Sequence, residues 1–155
     1  MDIQERRQRI RSSNRNVHKI MRFYMSKVKA TFAIYGDDFN INNVSEILNL
    51  SPSKTRIKGV VSQGGKIPSP TTGWSLSTEY EDSYDVMDQM NNLASTLKKK
   101  VLELKKIKTI YDVKYVFMFS IKIEDGKAPG FYLEGELLSF VNEIDAAIDL
   151  DMYIL

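Results

Sequence analysis

The sequence predicts an α+β domain: a mainly antiparallel sheet with helices on one face. Three observations carry this. Apolar and polar residues alternate with period two at Val28–Ile34 and again at Ile148–Met152. Apolar stripes of period 3.6 run through Ile41–Leu48, Val86–Leu104 and Leu137–Ile144. Between Val28 and Met152 the periodic pattern is broken only by a Gly-, Ser- and Pro-rich stretch over 62–72.

The elements follow in order. Val28, Ala30, Phe32 and Ile34 alternate with Lys29, Thr31, Ala33 and Tyr35, so the first strand has one apolar face. Gly36-Asp37-Asp38 turns the chain. Asn40 then caps a helix whose stripe is Ile41, Val44, Ile47 and Leu48, and Ser51-Pro52-Ser53 ends it. Thr55–Val61 reads as a second strand, Ser62–Thr72 as a long exposed loop, and Gly73–Glu79 as a third strand. Val86, Met90, Leu93, Leu97, Val101 and Leu104 mark the longest helix, with acids before it and lysines at its end to complement the helix dipole. Val113–Ile123 is β-branched and aromatic, hence a buried strand. Glu124-Asp125-Gly126 is a turn, and Phe131–Leu133 suggests a short strand. A third helix carries Leu137, Leu138, Val141 and Ile144, and a half-buried strand closes the chain. The first six elements have the ferredoxin-like β-α-β-β-α-β order, followed by a further helix and strand. Residues 27–155 are therefore expected to form a single α+β domain, preceded by a basic extension over 1–26, partly disordered or a short helix.

Length and composition agree with one domain: 155 residues, 43% of them hydrophobic. Cys is absent, which excludes a disulfide framework, a thiolate nucleophile and a cysteine zinc site. The single histidine, His18, excludes a multi-histidine metal site, and it lies in the basic extension. The longest uncharged run inside the apolar stretch Val113–Ile123 is Tyr115–Ile121, far short of a membrane span of about 20 residues. No apolar segment follows the basic N-terminus as a secretory signal requires, so a cytoplasmic location is expected, with no membrane partner.

The formal net charge of +2 is a cancellation. Arg6, Arg7, Arg9, Arg11, Arg15, Lys19 and Arg22 against Asp2 and Glu5 give the first 24 residues +5; the rest, with 15 basic and 18 acidic residues, carry −3. Arg6, Arg7, Arg9, Arg11 and Arg15 are candidate anion-binding residues. Met21 and Met25 are alternative starts, which leaves open whether 1–24 belong to the native translated protein.

The chemistry-bearing motifs are few. Gly59 and Gly64 have the spacing of a phosphate loop, but Gly65 and Lys66 stand where Lys and a hydroxyl residue are needed, and no GxGxxG occurs. Asp37-Asp38 and the pair Asp149 and Asp151 could do acid–base or metal work. A turn for the first pair and a solvated sheet face for the second explain them more simply. Trp74 is either a partner anchor or, sharing its face with Leu76, a core residue; the core is favoured. Tyr35, Tyr80, Tyr111, Tyr115 and Tyr153 are scattered along the chain, without the basic–aromatic interleaving of a single-strand binder. Lys98–Lys100 with Lys105, Lys106 and Lys108 form a basic cluster at a helix end.

At Tyr35-Gly36-Asp37-Asp38, at the helix closing on Leu48-Asn49-Leu50-Ser51-Pro52, at Gly73-Trp74-Ser75-Leu76 and at the closing Asp149-Leu150-Asp151-Met152-Tyr153-Ile154, the chain resembles the bacterial family catalogued as domain of unknown function 4279. The resemblance runs from roughly residue 27 to the end. It implies a compact α+β domain and supplies no catalytic residue.

The expectation is a non-enzymatic protein-interaction module without a catalytic site, metal or cofactor. In one form it is immunity- or antitoxin-like, meeting a basic protein through an acidic surface that includes Asp37, Asp38, Asp149 and Asp151, with Trp74 as a further candidate. The first alternative is nucleic-acid binding through the basic arm and the Lys98–Lys108 helix end. The second is a carboxylate-based enzyme or ligand binder. The partner's identity stays open, and a homodimer through an exposed strand edge is a further option.

Overall fold

The computed structural model describes residues 26–124 and 126–155. Strand β1 (Lys27–Gly36) leads through a turn into helix α1 (Ile41–Leu48). Strands β2 (Lys54–Arg56), β3 (Thr72–Ser77) and β4 (Glu81–Asp82) follow. Helix α2 (Met87–Leu97) passes through a 3-10 turn (Lys98–Lys100) into α3 (Val101–Ile110). Strand β5 (Val113–Ile123), helix α4 (Gly135–Glu143) and strand β6 (Ala146–Ile154) complete the chain.

The fold is α+β, with one six-stranded, mostly antiparallel sheet. Its order is β2-β3-β1-β5-β6, with β4 also on β1. Only β5 and β6 run parallel. That pairing requires a crossover, and the segment carrying α4 supplies it.

Strand alternation sets the layers. Val28, Ala30, Phe32 and Ile34 of β1 and Val113, Tyr115, Phe117, Phe119, Ile121 and Ile123 of β5 point to one side and are buried. There they join Val44 and Leu48 of α1, Met90, Leu93 and Leu97 of α2, Leu104 and Ile107 of α3, and Leu137 and Phe140 of α4 in one core. Phe32 packs between Phe117 (centroids 5.0 Å apart) and Tyr115 (5.4 Å), with the rings tilted to one another.

Asn40 caps α1 as its type predicts: its Oδ1 accepts the Asn43 N–H at 3.0 Å. Trp74 lies wholly within the core at 0% exposure, and its indole N–H donates to Ser45 Oγ at 2.9 Å. The Tyr115 hydroxyl donates to the Leu104 carbonyl at 2.7 Å, and burial pushes its pKa well above the ordinary tyrosine value.

Four expectations change. The long helix is interrupted at Lys98–Lys100, where the tighter 3-10 turn lies between fully buried Leu97 and Leu104. The second strand stops at Arg56, because beyond it only the isolated bridges Lys58↔Ser69 and Val61↔Pro68 form in an exposed loop. Phe131–Leu133 is not a strand; Gly130 instead pairs with Asp85. The third strand ends at Ser77, and the short strand β4 (Glu81–Asp82), which the sequence did not suggest, follows a break. At the break the Thr78 N–H donates to the Ala30 carbonyl at 2.9 Å, while Thr78 Oγ1 accepts the Ala30 N–H at 3.0 Å. A side-chain oxygen thus replaces a ladder carbonyl, as at a bulge.

Candidate functional site

The helices cover one side of the sheet. The strand residues of opposite parity form the other side, and of them only Ala33 counts as buried apolar core or buried polar, apart from Gly73. The strand registers place every residue of this open face.

One row runs Asp82, Lys27, Lys122, Tyr153 and the next carries Lys29, Ser120 and Asp151. The third is Ser77, Thr31, Met118, Asp149, in which the hydroxyls of Thr31 and Ser77 meet at 2.9 Å. The fourth is Lys54, Ser75, Ala33, Val116, Ala147, and the last Arg56, Gly73, Tyr35, Lys114.

Tyr80 joins this face because the bulge at Thr78 resets the strand. Its hydroxyl bonds Ser120 Oγ at 2.6 Å, and its ring sits 4.2 Å from Lys122 Nζ and 5.8 Å from Lys29 Nζ. At the far end Arg56 lies across Gly73. A Cβ on Gly73 would come within 2.8 Å of Arg56 Nε, so the position must remain without a side chain for that arginine to lie flat. The Arg56 guanidinium is also held by Thr71 Oγ1 at 3.0 Å.

Among the described residues the open face therefore gathers six cations (Lys27, Lys29, Lys54, Arg56, Lys114, Lys122) and three tyrosines (Tyr35, Tyr80, Tyr153). Three carboxylates share it, Asp82, Asp149 and Asp151. Lys27 and Lys122 sit directly opposite one another, an unfavourable like-charge pair.

The lysine cluster of the helices is arranged differently. Lys98, Lys105 and Lys108 pair with Glu136, Glu143 and Asp145 at 2.8 Å each, tying the 3-10 turn and α3 to α4 and to the turn that follows it. Hydrogen bonding from Lys98 and from Lys108, with their charge, holds the Glu136 and Asp145 carboxyls below the usual range. These pairs are exposed, so they add little stability, but they cancel half of the cluster's charge locally.

The predicted site residues do not converge. Trp74 offers no surface to a partner, because alternation and the Ser45 hydrogen bond place it in the core. Asp37 and Asp38 are exposed at the turn after β1, with Asp37 paired to Lys58 at 3.1 Å. Asp149 and Asp151 are exposed on the open face, apart from that turn. Arg6, Arg7, Arg9, Arg11 and Arg15 lie outside the described residues. Among the described residues no group of three or more His, Asp or Glu could hold a metal ion, and no helix is long and apolar enough to cross a membrane. The open-face cations and Tyr80 were missed as a set; the signal was the odd-numbered polar positions of β1 set beside the even-numbered ones of β5.

No curated protein and no solved structure matches the chain. The short motifs noted above, the α+β fold that carries them, and a match of residues 26–155 to the model described as Domain of unknown function (DUF4279) agree, and the chain belongs to that family.

Proposed function

We propose that this chain is a non-enzymatic binding domain whose working surface is the open face of the sheet and whose ligand is anionic. The observation that supports it is the segregation of charge. The open face has six cations against three carboxylates; the rest of residues 26–155 has 9 basic and 15 acidic residues. The body that looks acidic in sequence presents a cationic, tyrosine-bearing surface on one side. An anion meets attraction on that face and repulsion from the rest.

Retention of the full chain on an immobilised sulfated polyanion tests this. Lys29→Gln/Lys114→Gln/Lys122→Gln is compared with Lys99→Gln/Lys100→Gln/Lys106→Gln, which removes the same charge from the helical side. The first variant is expected to elute at clearly lower salt and the second near wild type. Equal elution of the two overturns the proposal, since bulk charge would then explain binding.

A second reading rests on the acidic remainder. Its excess of carboxylates suits an immunity- or antitoxin-like contact with a basic protein. Recovery of a basic protein from the native host, lost when helix-side acids are neutralised, supports that reading; recovery unaffected by that change refutes it.

A further inference from the structure

We infer that the anion of the open face is single-stranded nucleic acid, lying along β1 and β5 with bases stacked on Tyr80 and Tyr35. This rests on the reading of the open face as the binding surface and names its ligand class.

Three observations favour a single strand over other polyanions. The first is interleaving. Tyr80 stands among Lys29 and Lys122, and Tyr35 shares a row with Arg56 and Lys114. Alternation of a π-face with cations is what a flexible strand of bases and phosphates requires, whereas an acidic peptide has use only for the cations. The second is preorganisation. Tyr80 is 37% exposed, yet its hydroxyl is fixed to Ser120. Its ring is ordered before binding, so less entropy is lost when a base stacks. Lys122 and Lys29 can leave the ring for phosphates as the base takes their place. Arg56 is likewise held in advance, by Gly73 beneath it and Thr71 beside it.

The third is shape. From Lys27 to Tyr35 β1 spans about 26 Å at ~3.3 Å per residue. The cations stand at the two ends of this lane, and its middle along β1 and β5 is uncharged: Thr31, Ala33, Val116 and Met118, with Ser75 and Ser77 beside them. An extended strand of a few nucleotides fits that lane. A duplex would touch it through few phosphates, because groove entry needs a helix or ribbon that projects. Asp149 and Asp151 bound the lane on the β6 side and repel phosphates there.

The test uses the full chain and a labelled mixed-sequence ten-nucleotide RNA and DNA, followed by fluorescence anisotropy over a range of salt. The same sequence as a duplex and polyglutamate serve as competitors. The expected result is preference for single strands over duplex and polyglutamate. Tyr80→Leu should weaken single-strand binding about 5- to 150-fold, the equivalent of one lost stack. Tyr80→Phe, which keeps the ring, should retain most of the affinity. Each open-face Lys→Gln change should reduce the salt slope by about 0.7. Should Tyr80→Leu fail to fold, as Trp74 fluorescence would reveal, Tyr35→Leu supplies the same test at the other end.

Polyglutamate competing as well as RNA or DNA, with both Tyr→Leu variants binding normally, overturns the nucleic-acid inference. The anionic-ligand reading survives that result if the Lys→Gln variants still lose binding, and fails with it if they do not. Equal binding of duplex and single strand also overturns the inference.

Discussion

Replacing Ser45 by Ala tests the packing that hides Trp74. Ser45 sits inside α1, and its Oγ accepts the Trp74 indole N–H at 2.9 Å while donating to the Ile41 carbonyl at 3.2 Å. Alanine removes that acceptor and leaves a donor at 0% exposure with no other hydrogen-bond partner in the core. The cost of such an orphaned group is about 1–3 kcal/mol. Alanine's better helix propensity returns up to roughly 0.7 kcal/mol, so a net loss of about 1–2 kcal/mol is expected. For a domain of this size that lowers the melting temperature by about 3–10 °C. Trp74 is the only tryptophan in the chain, so its emission reports unfolding directly in urea titrations. The midpoint should fall with an unchanged slope. Ser45→Thr keeps the hydroxyl and should recover much of the loss. Ser45→Ala with wild-type stability and unchanged emission would refute the reasoning, since the indole would then have no need of that partner.

Other expectations concern the remaining hydrogen bonds and charges. Tyr115→Phe removes the bond to the Leu104 carbonyl and should cost about 1 kcal/mol by thermal unfolding. Because the folded state raises the Tyr115 pKa, its contribution is present below the ordinary value of 10.0 and lost as pH rises above it, so Tyr115→Phe should show a shallower alkaline decline. Glu136 and Asp145 behave oppositely. Their folded pKa values are lowered, so the stability they add is present above the ordinary values of 4.5 and 3.8 and lost as pH falls. Glu136→Gln/Asp145→Asn should flatten the acid limb of a stability–pH curve, and an unchanged limb would count against the pairing. Thr78→Val deprives the Ala30 N–H of its acceptor, which should cost about 1–3 kcal/mol and speed hydrogen exchange at Ala30.

The alternation at Val28–Ile34 and the stripe at Ile41–Leu48 needed no tertiary information. A half-buried strand and an amphipathic helix impose those periods on any sequence that forms them, and the structure has β1 and α1 there. Asn40 as a cap and Trp74 as core were legible from local pattern: Asn40 caps a residue three positions on, and Trp74 shares its strand alternation with Leu76. The end of the second strand was not legible. Ile57, Val60 and Val61 have β propensity, but a strand needs a partner, and none reaches them beyond single bridges.

The binding surface divides most clearly between the two levels. Side-chain type and strand alternation are read from the sequence, which exposed the +5 of the first 24 residues, the −3 of the rest and the absence of Cys. It left five tyrosines scattered and an acidic body without a face. Strand order and register then placed Tyr35, Tyr80 and Tyr153 on one side with six cations and put Tyr111 and Tyr115 on the helix side. Helix packing spent three of the six clustered lysines on carboxylates in α4 and just after it, 37 or 38 residues away in sequence. Side-chain type is local, but the sum of charges on a surface depends on which distant strands become neighbours, and only the folded sheet decides that.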